Sequence, residues 1–87
     1  MILISHRGNI DGPNVKMEND PRYIENTLGK GYNVEVDVWS KGSDFFLGHD
    51  KPEHQVSEMF LRHGSIWCHA KDIKTFYKLI DIGAHCF

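Results

Sequence analysis

Tyr32-Asn33-Val34-Glu35-Val36-Asp37-Val38-Trp39 is the stretch that decides the fold. Apolar β-branched residues alternate with polar ones at every step, which is the period of a strand and not of a helix. Val34, Val36 and Val38 take one face, and Glu35 and Asp37 take the other. At ~3.3 Å per residue the two carboxylates lie roughly 6.6 Å apart along the strand. So placed, they repel each other unless a cation or a basic side chain stands between them. The same alternation also describes an ordinary amphipathic strand whose polar face is solvated.

Working outward, residues 2–5 read as a short strand, followed by a polar loop from Gly8 to Asn19. Asp20-Pro21 is an N-cap followed by proline at the first helical position. The helix it starts has an apolar face of Tyr23, Ile24 and Leu28, and Gly29 and Gly31 end it. After the central strand, 40–44 is a turn and 45–48 a further short strand. A connection this short favours an antiparallel hairpin, since parallel strands need a crossover of about a dozen residues. Val56, Met59, Phe60 and His63 have helical spacing. Residues 66–70 read as a buried strand, Asp72 caps a helix with Ile73, Phe76, Tyr77 and Ile80 on one face, and 84–87 begin another strand. Strands alternating with helices predict an α/β protein with a mostly parallel sheet.

The chain has 87 residues, of which 40% are hydrophobic and 25% charged, an ordinary globular balance and not a disordered one. Its formal net charge of −2 excludes the basic footprint of a nucleic-acid binder. No apolar run reaches the roughly 18 residues of a membrane span, and the N-terminus lacks the basic region of a signal peptide. These features predict no membrane span and a cytoplasmic location. Two cysteines, Cys68 and Cys86, do not make a disulfide framework, so a reducing compartment is expected. Their neighbours His69 and His85 invite a zinc reading, but adjacent strand residues face opposite sides and the spacing fits no common finger.

Chemistry concentrates at the strand ends. His6-Arg7-Gly8 follows directly on an apolar strand, where α/β folds place their sites. Arginine there can hold a phosphate by paired hydrogen bonds, and histidine carries protons near neutral pH. Gly48-His49-Asp50 repeats the pattern. His69 and Lys71 share one strand face, and a lysine on a buried strand needs an anionic partner. For each motif the plainer alternative is a solvated strand end. His54 and His63 read as surface residues, and Trp39, Trp67 and the phenylalanines as core.

Taken in order, His6-Arg7-Gly8, Glu18-Asn19, Glu35-Val36-Asp37-Val38 and Gly48-His49-Asp50 resemble the glycerophosphodiester phosphodiesterase family, within the phosphatidylinositol phospholipase C-like superfamily. In that family a Glu-Asn pair stands about thirteen residues before a helix-ending glycine, and counting back from Gly31 selects Glu18-Asn19 over Glu25-Asn26. The resemblance implies a TIM (β/α)8 barrel of which this chain is the N-terminal part, four to five strands long. It implies hydrolysis of glycerophosphodiesters to an alcohol and glycerol 3-phosphate with a divalent metal, Mg²⁺ or Ca²⁺. His6 and His49 then correspond to the acid/base pair, Arg7 and Lys71 to the phosphate-binding cations, and Glu18, Glu35 and Asp37 to the metal ligands.

Three features depart from the family pattern. His69 stands where a glutamate is usual, and would bring a nitrogen donor toward the metal. The resemblance makes 45–48 a barrel strand, whereas the short 40–44 connection argues for a hairpin. A barrel takes about 250 residues, so the chain is expected to be a fragment or to associate with another copy or partner. A small-molecule phosphodiester is the expected ligand. A phosphate-ester binding module without turnover and a phospholipase-D-like member of the same superfamily are the alternatives.

Overall fold

The computed structural model describes residues 4–7 and 18–87, with residues 4–6 described by their backbone; the expected strand at 2–3 and the loop from Gly8 to Met17 lie outside them. The element order is β1 (Ile4–His6), α1 (Pro21–Gly29), β2 (Asn33–Lys41), β3 (Asp44–Leu47), β4 (His54–Val56), α2 (Glu58–Leu61), β5 (Ile66–Ala70), α3 (Ile73–Asp81) and β6 (His85–Cys86). All six strands join one mixed, open sheet.

β2 organises that sheet. One of its edges pairs with β5 in parallel, from Val34 opposite Ile66 to Val38 opposite Ala70. Its other edge changes partner along its length. β1 runs parallel to the first half, with His6 opposite Glu35. β3 runs antiparallel to the second half, with Val38 opposite Leu47. β4 extends the hairpin antiparallel to β3, and β6 adds to β5 in parallel. The parallel strands therefore lie in chain order, β1-β2-β5-β6. Residues 44–47 form a hairpin with β2, as the short connection requires, and not a further parallel strand.

The core lies between the sheet and its helices. Val34, Val36 and Val38 of β2, Ile66 and Cys68 of β5, and Phe45 and Leu47 of β3 are buried with Ile24, Leu61 and Leu79 from the three helices. The strict alternation of β2 thus buries its valine face completely. Ser40 continues that face and its hydroxyl bonds to Thr75 of α3 at 2.8 Å. Local signals place the helix starts. Asp20 accepts from Arg22 N–H at the head of α1, with Pro21 next, and Asp72 accepts from Thr75 N–H at the head of α3.

Three expectations are corrected. Val56 belongs to β4, and the helix after it is a single turn that starts only at Glu58, where Ser57 caps it by accepting from Phe60 N–H. Leu61 is its buried residue, while Met59 is 75% exposed. On α3 the structure buries Thr75 and Leu79 and leaves Ile73, Tyr77 and Ile80 exposed. Both stripes have helical spacing, and packing against β2 and β5 selects the one that carries Thr75. Trp39 and Trp67 are only partly buried, on the sheet face opposite the core, and Phe87 is exposed, so these aromatics are not core. Among the described residues no helix is long and apolar enough to cross a membrane.

Candidate functional site

The change of partner along β2 creates the site. Arg7 N–H bonds to the Glu35 carbonyl, and Gly48 N–H to the Asp37 carbonyl, both on the same edge. Between them the Asp37 N–H is reached by neither strand. Asn19 fills this gap: its Oδ1 accepts from Asp37 N at 2.9 Å, and its Nδ2 donates to Asp37 Oδ2 at 3.0 Å. Asn19 is fully buried and holds φ +60°, while Arg7 holds φ +56°. Both are non-glycine residues in the left-handed region, a conformation that costs roughly 1–2 kcal/mol per residue.

Asp37 is 1% exposed, on the face opposite the helices of the described residues, and cationic or protonatable groups surround its carboxylate. Arg7 Nε lies 2.8 Å from Oδ2, and Arg7 Nη1 lies 3.2 Å from Glu18 Oε2, so one guanidinium bridges two carboxylates. Nε is close to Oδ2 but not aimed at it, and this buried N–H has no hydrogen-bond acceptor among the described residues; the contact is an ion pair only. His69 Nδ1 is 3.2 Å from Oδ1, and since a carboxylate can only accept, Nδ1 is the donor. Phe87 stacks on that ring at 5.3 Å between centroids. His49 Nδ1 stands 3.6 Å from Oδ2, and Lys71 Nζ 4.0 Å from Oδ1. Lys71 also lies 5.9 Å above the Trp39 ring, whose Nε1 donates to the Gly48 carbonyl and ties down the loop that presents His49.

These contacts set the charge state of Asp37. Burial pushes its carboxyl upward, but the hydrogen bonds from Asn19 and His69 and the charges of Arg7 and Lys71 outweigh burial and hold it below the usual carboxylate value. Asp37 is therefore ionised at neutral pH, as the fixed anion of a cationic ring.

Arg7, Glu18, Asp37, His49, His69 and Lys71 thus converge, most of them from the ends of β1, β3 and β5. Glu35 lies two residues back on the same face of β2, in register between His6 and Trp67. The backbone of His6 ends β1 at that position, and its side chain lies outside the described residues. Glu25 is exposed on α1 and borders an apolar groove with Leu28, Phe60 and Ile66, away from Asp37. That groove, at about 500 Å³, is larger than the 80 Å³ cleft that Glu18, His49, Asp50 and Glu53 line beside the cluster, but the titratable groups gather at the smaller one. Sequence reasoning did not single out Asn19 as a site residue, although its place directly after Glu18 was the available signal.

The metal set implied by the resemblance can be weighed against this geometry. Glu18 and Asp37 do converge on a positive charge, but it is the Arg7 guanidinium. Both oxygens of Asp37 are engaged. A further cation near 4 Å from Arg7 or Lys71 meets repulsion of about 4 kcal/mol per pair of unit charges near a protein surface. Among the described residues no three His, Cys, Asp or Glu side chains are grouped to hold an ion. As arranged, Glu18, Glu35 and Asp37 do not fit a shared metal. Comparison with family models, curated proteins and solved structures returns no match to this chain.

Proposed function

We propose that the face around Asp37 binds the phosphate of a phosphodiester and hydrolyses it, with glycerophosphodiesters as the substrate class. The observation that carries this reading is the ring of Arg7, Lys71, His49 and His69 around one buried carboxylate. Asp37 lies at the bottom at 1% exposure, while the two imidazoles are 45% and 43% exposed. A ligand arriving from solvent therefore meets the imidazoles and the cations before the carboxylate.

Phosphodiester cleavage needs developing negative charge to be stabilised, and Arg7 and Lys71 are placed for that. It also needs one proton taken from the nucleophile and one given to the leaving alkoxide. His49 is the proposed partner in this exchange together with His6, whose backbone ends β1 beside Glu35. The chain-order run of parallel strands supports a further proposal, that the sheet is the opening portion of a (β/α)8 barrel with its site at the strand C-termini. The test is release of alcohol from glycerophosphocholine, or of nitrophenol from a chromogenic phosphodiester. Turnover by the wild type, reduced 10²-fold or more in His49→Ala, is the expected result. Equal rates in both proteins would remove the hydrolytic reading.

A second reading, binding without turnover, is favoured by the closed ion-pair network on Asp37. It predicts saturable uptake of glycerol 3-phosphate with no product from the diester.

A further inference from the structure

The geometry points to Arg7 and Lys71 as the charges that neutralise the bound phosphate, with no divalent ion between the phosphate and the carboxylates. This inference rests on the phosphate-ester reading and adds to it the means of charge neutralisation.

The position between Glu18 and Asp37 that a shared cation would take is held by the Arg7 guanidinium, 3.2 Å from Glu18 Oε2 and 2.8 Å from Asp37 Oδ2. Each Asp37 oxygen already accepts one hydrogen bond, Oδ2 from Asn19 and Oδ1 from His69, and each also faces a cation, Arg7 Nε at 2.8 Å from Oδ2 and Lys71 Nζ at 4.0 Å from Oδ1. A divalent ion ligated there requires Arg7 and Lys71 to withdraw, whereas a phosphate is attracted by both, against repulsion from Asp37 and Glu18 that these two cations already offset. Both cations keep donor capacity beside their present contacts. The Arg7 Nε–H is buried without a hydrogen-bond acceptor among the described residues. The 4.0 Å separation of Lys71 Nζ from Asp37 is longer than a hydrogen bond. Guanidinium is moreover the side chain whose planar fork matches phosphate oxygens. The buried Asn19–Asp37 pair fixes the base of the ring, so the two cations are positioned before the ligand arrives.

Isothermal titration calorimetry of the 87-residue chain with glycerol 3-phosphate, in excess chelator and then in Mg²⁺ or Ca²⁺, tests this. The expected result is the same Kd within twofold in all three conditions. A parallel titration with Mn²⁺ alone, followed by water-proton relaxation, should show no saturable site. Arg7→Gln should weaken glycerol 3-phosphate at least tenfold while retaining a cooperative thermal transition. Should that variant not fold, Lys71→Gln, which removes a contact longer than a hydrogen bond, should weaken binding severalfold and flatten its salt dependence. Binding seen only with the metal present overturns the inference and leaves the phosphate-ester reading standing. Binding indifferent to the folded Arg7→Gln and Lys71→Gln variants also overturns it. Absence of binding with and without metal removes both together.

Discussion

At the scale of single residues, Asn19 carries more of the site than any of the charged groups around it. One amide satisfies a strand N–H that no neighbouring strand can reach and also one oxygen of the buried Asp37 carboxylate. Asn19→Ala leaves both unpaired, and each such loss costs about 1–3 kcal/mol. Urea denaturation should therefore show a loss of about 2–6 kcal/mol, a large share of the stability of a small domain. Asp37 has a second signature, in pH. Its folded-state value lies below the unfolded one, so its contribution is fully present above about pH 4, the unfolded value. That contribution is lost as pH falls through the depressed folded value. Urea midpoints followed from pH 7 to pH 2 should fall steeply only on the acid side of about pH 4. A flat profile there would show that the carboxylate is not held by its cationic ring. That Arg7, Asp37, His49 and Lys71 stand close together is explicable from the sequence, because Arg7, His49 and Lys71 lie just past recognisable strands and Asp37 lies on the polar face of the central one. The role of Asn19 was not legible, because the gap it fills exists only once β1 and β3 share an edge of β2.

At the scale of elements, caps, turns and the valine face of β2 were readable, and the buried face of α3 was not. Asp20-Pro21 and Asp72 start helices through bonds made within three residues, so the local chain contains all the needed information. The burial of α3 depends on which stripe meets Ser40 and the valines of β2, and two stripes of equal period compete for it. The short strand β4 was missed for a related reason, since its three residues are defined by pairing with β3 and not by their own pattern. Asp72→Ala removes the cap bond to Thr75 N–H and should cost about 1 kcal/mol at pH 7. The Asp72 carboxyl is held low mainly by that bond, so its contribution too is lost as pH falls, and the variant should show a shallower acid limb than the wild type. Gly48→Ala is the harsher change. A Cβ at this position would meet the Lys51 carbonyl oxygen at 1.8 Å, a backbone atom that no side-chain rotation can relieve. The turn carrying His49 must open, and amide NMR shifts from 48 to 53 should move together with a lowered thermal midpoint.

For the whole molecule, stability depends on a single sheet covered by helices on one face, with a polar and aromatic opposite face where Asp37, Trp39, Trp67 and His69 lie. The mostly parallel α/β class was legible from the alternation of strands and helices, whereas the mixed character of the sheet depends on a two-residue turn at Gly42-Ser43 that lets β3 fold back on β2. The chain-order parallel run and the burial of every β2 valine put Cys68 at the centre of the covered side, where it is completely buried and its thiol is directed at the Leu61 carbonyl. Burial, with a smaller contribution from the neighbouring Cys86, pushes its pKa up to about 12. The unfolded chain ionises this thiol near pH 8.5, so above that value the unfolded state releases a proton that the folded state keeps. Stability linked to Cys68 is thus fully present at neutral pH and falls as pH rises from about 8.5 toward about 12, the opposite sign to Asp37. Urea midpoints of wild type and Cys68→Ala should therefore converge through this range, the variant being less stable at pH 7 because of the small cavity and relatively less disadvantaged at pH 10.5. In the native protein at neutral pH a disulfide reagent should label Cys68 only at the rate of global unfolding, and Cys86, partly exposed, faster. Rapid labelling of both thiols in the folded chain would mean that the helices do not cover β5, and the packing on which the site is built would have to be drawn differently.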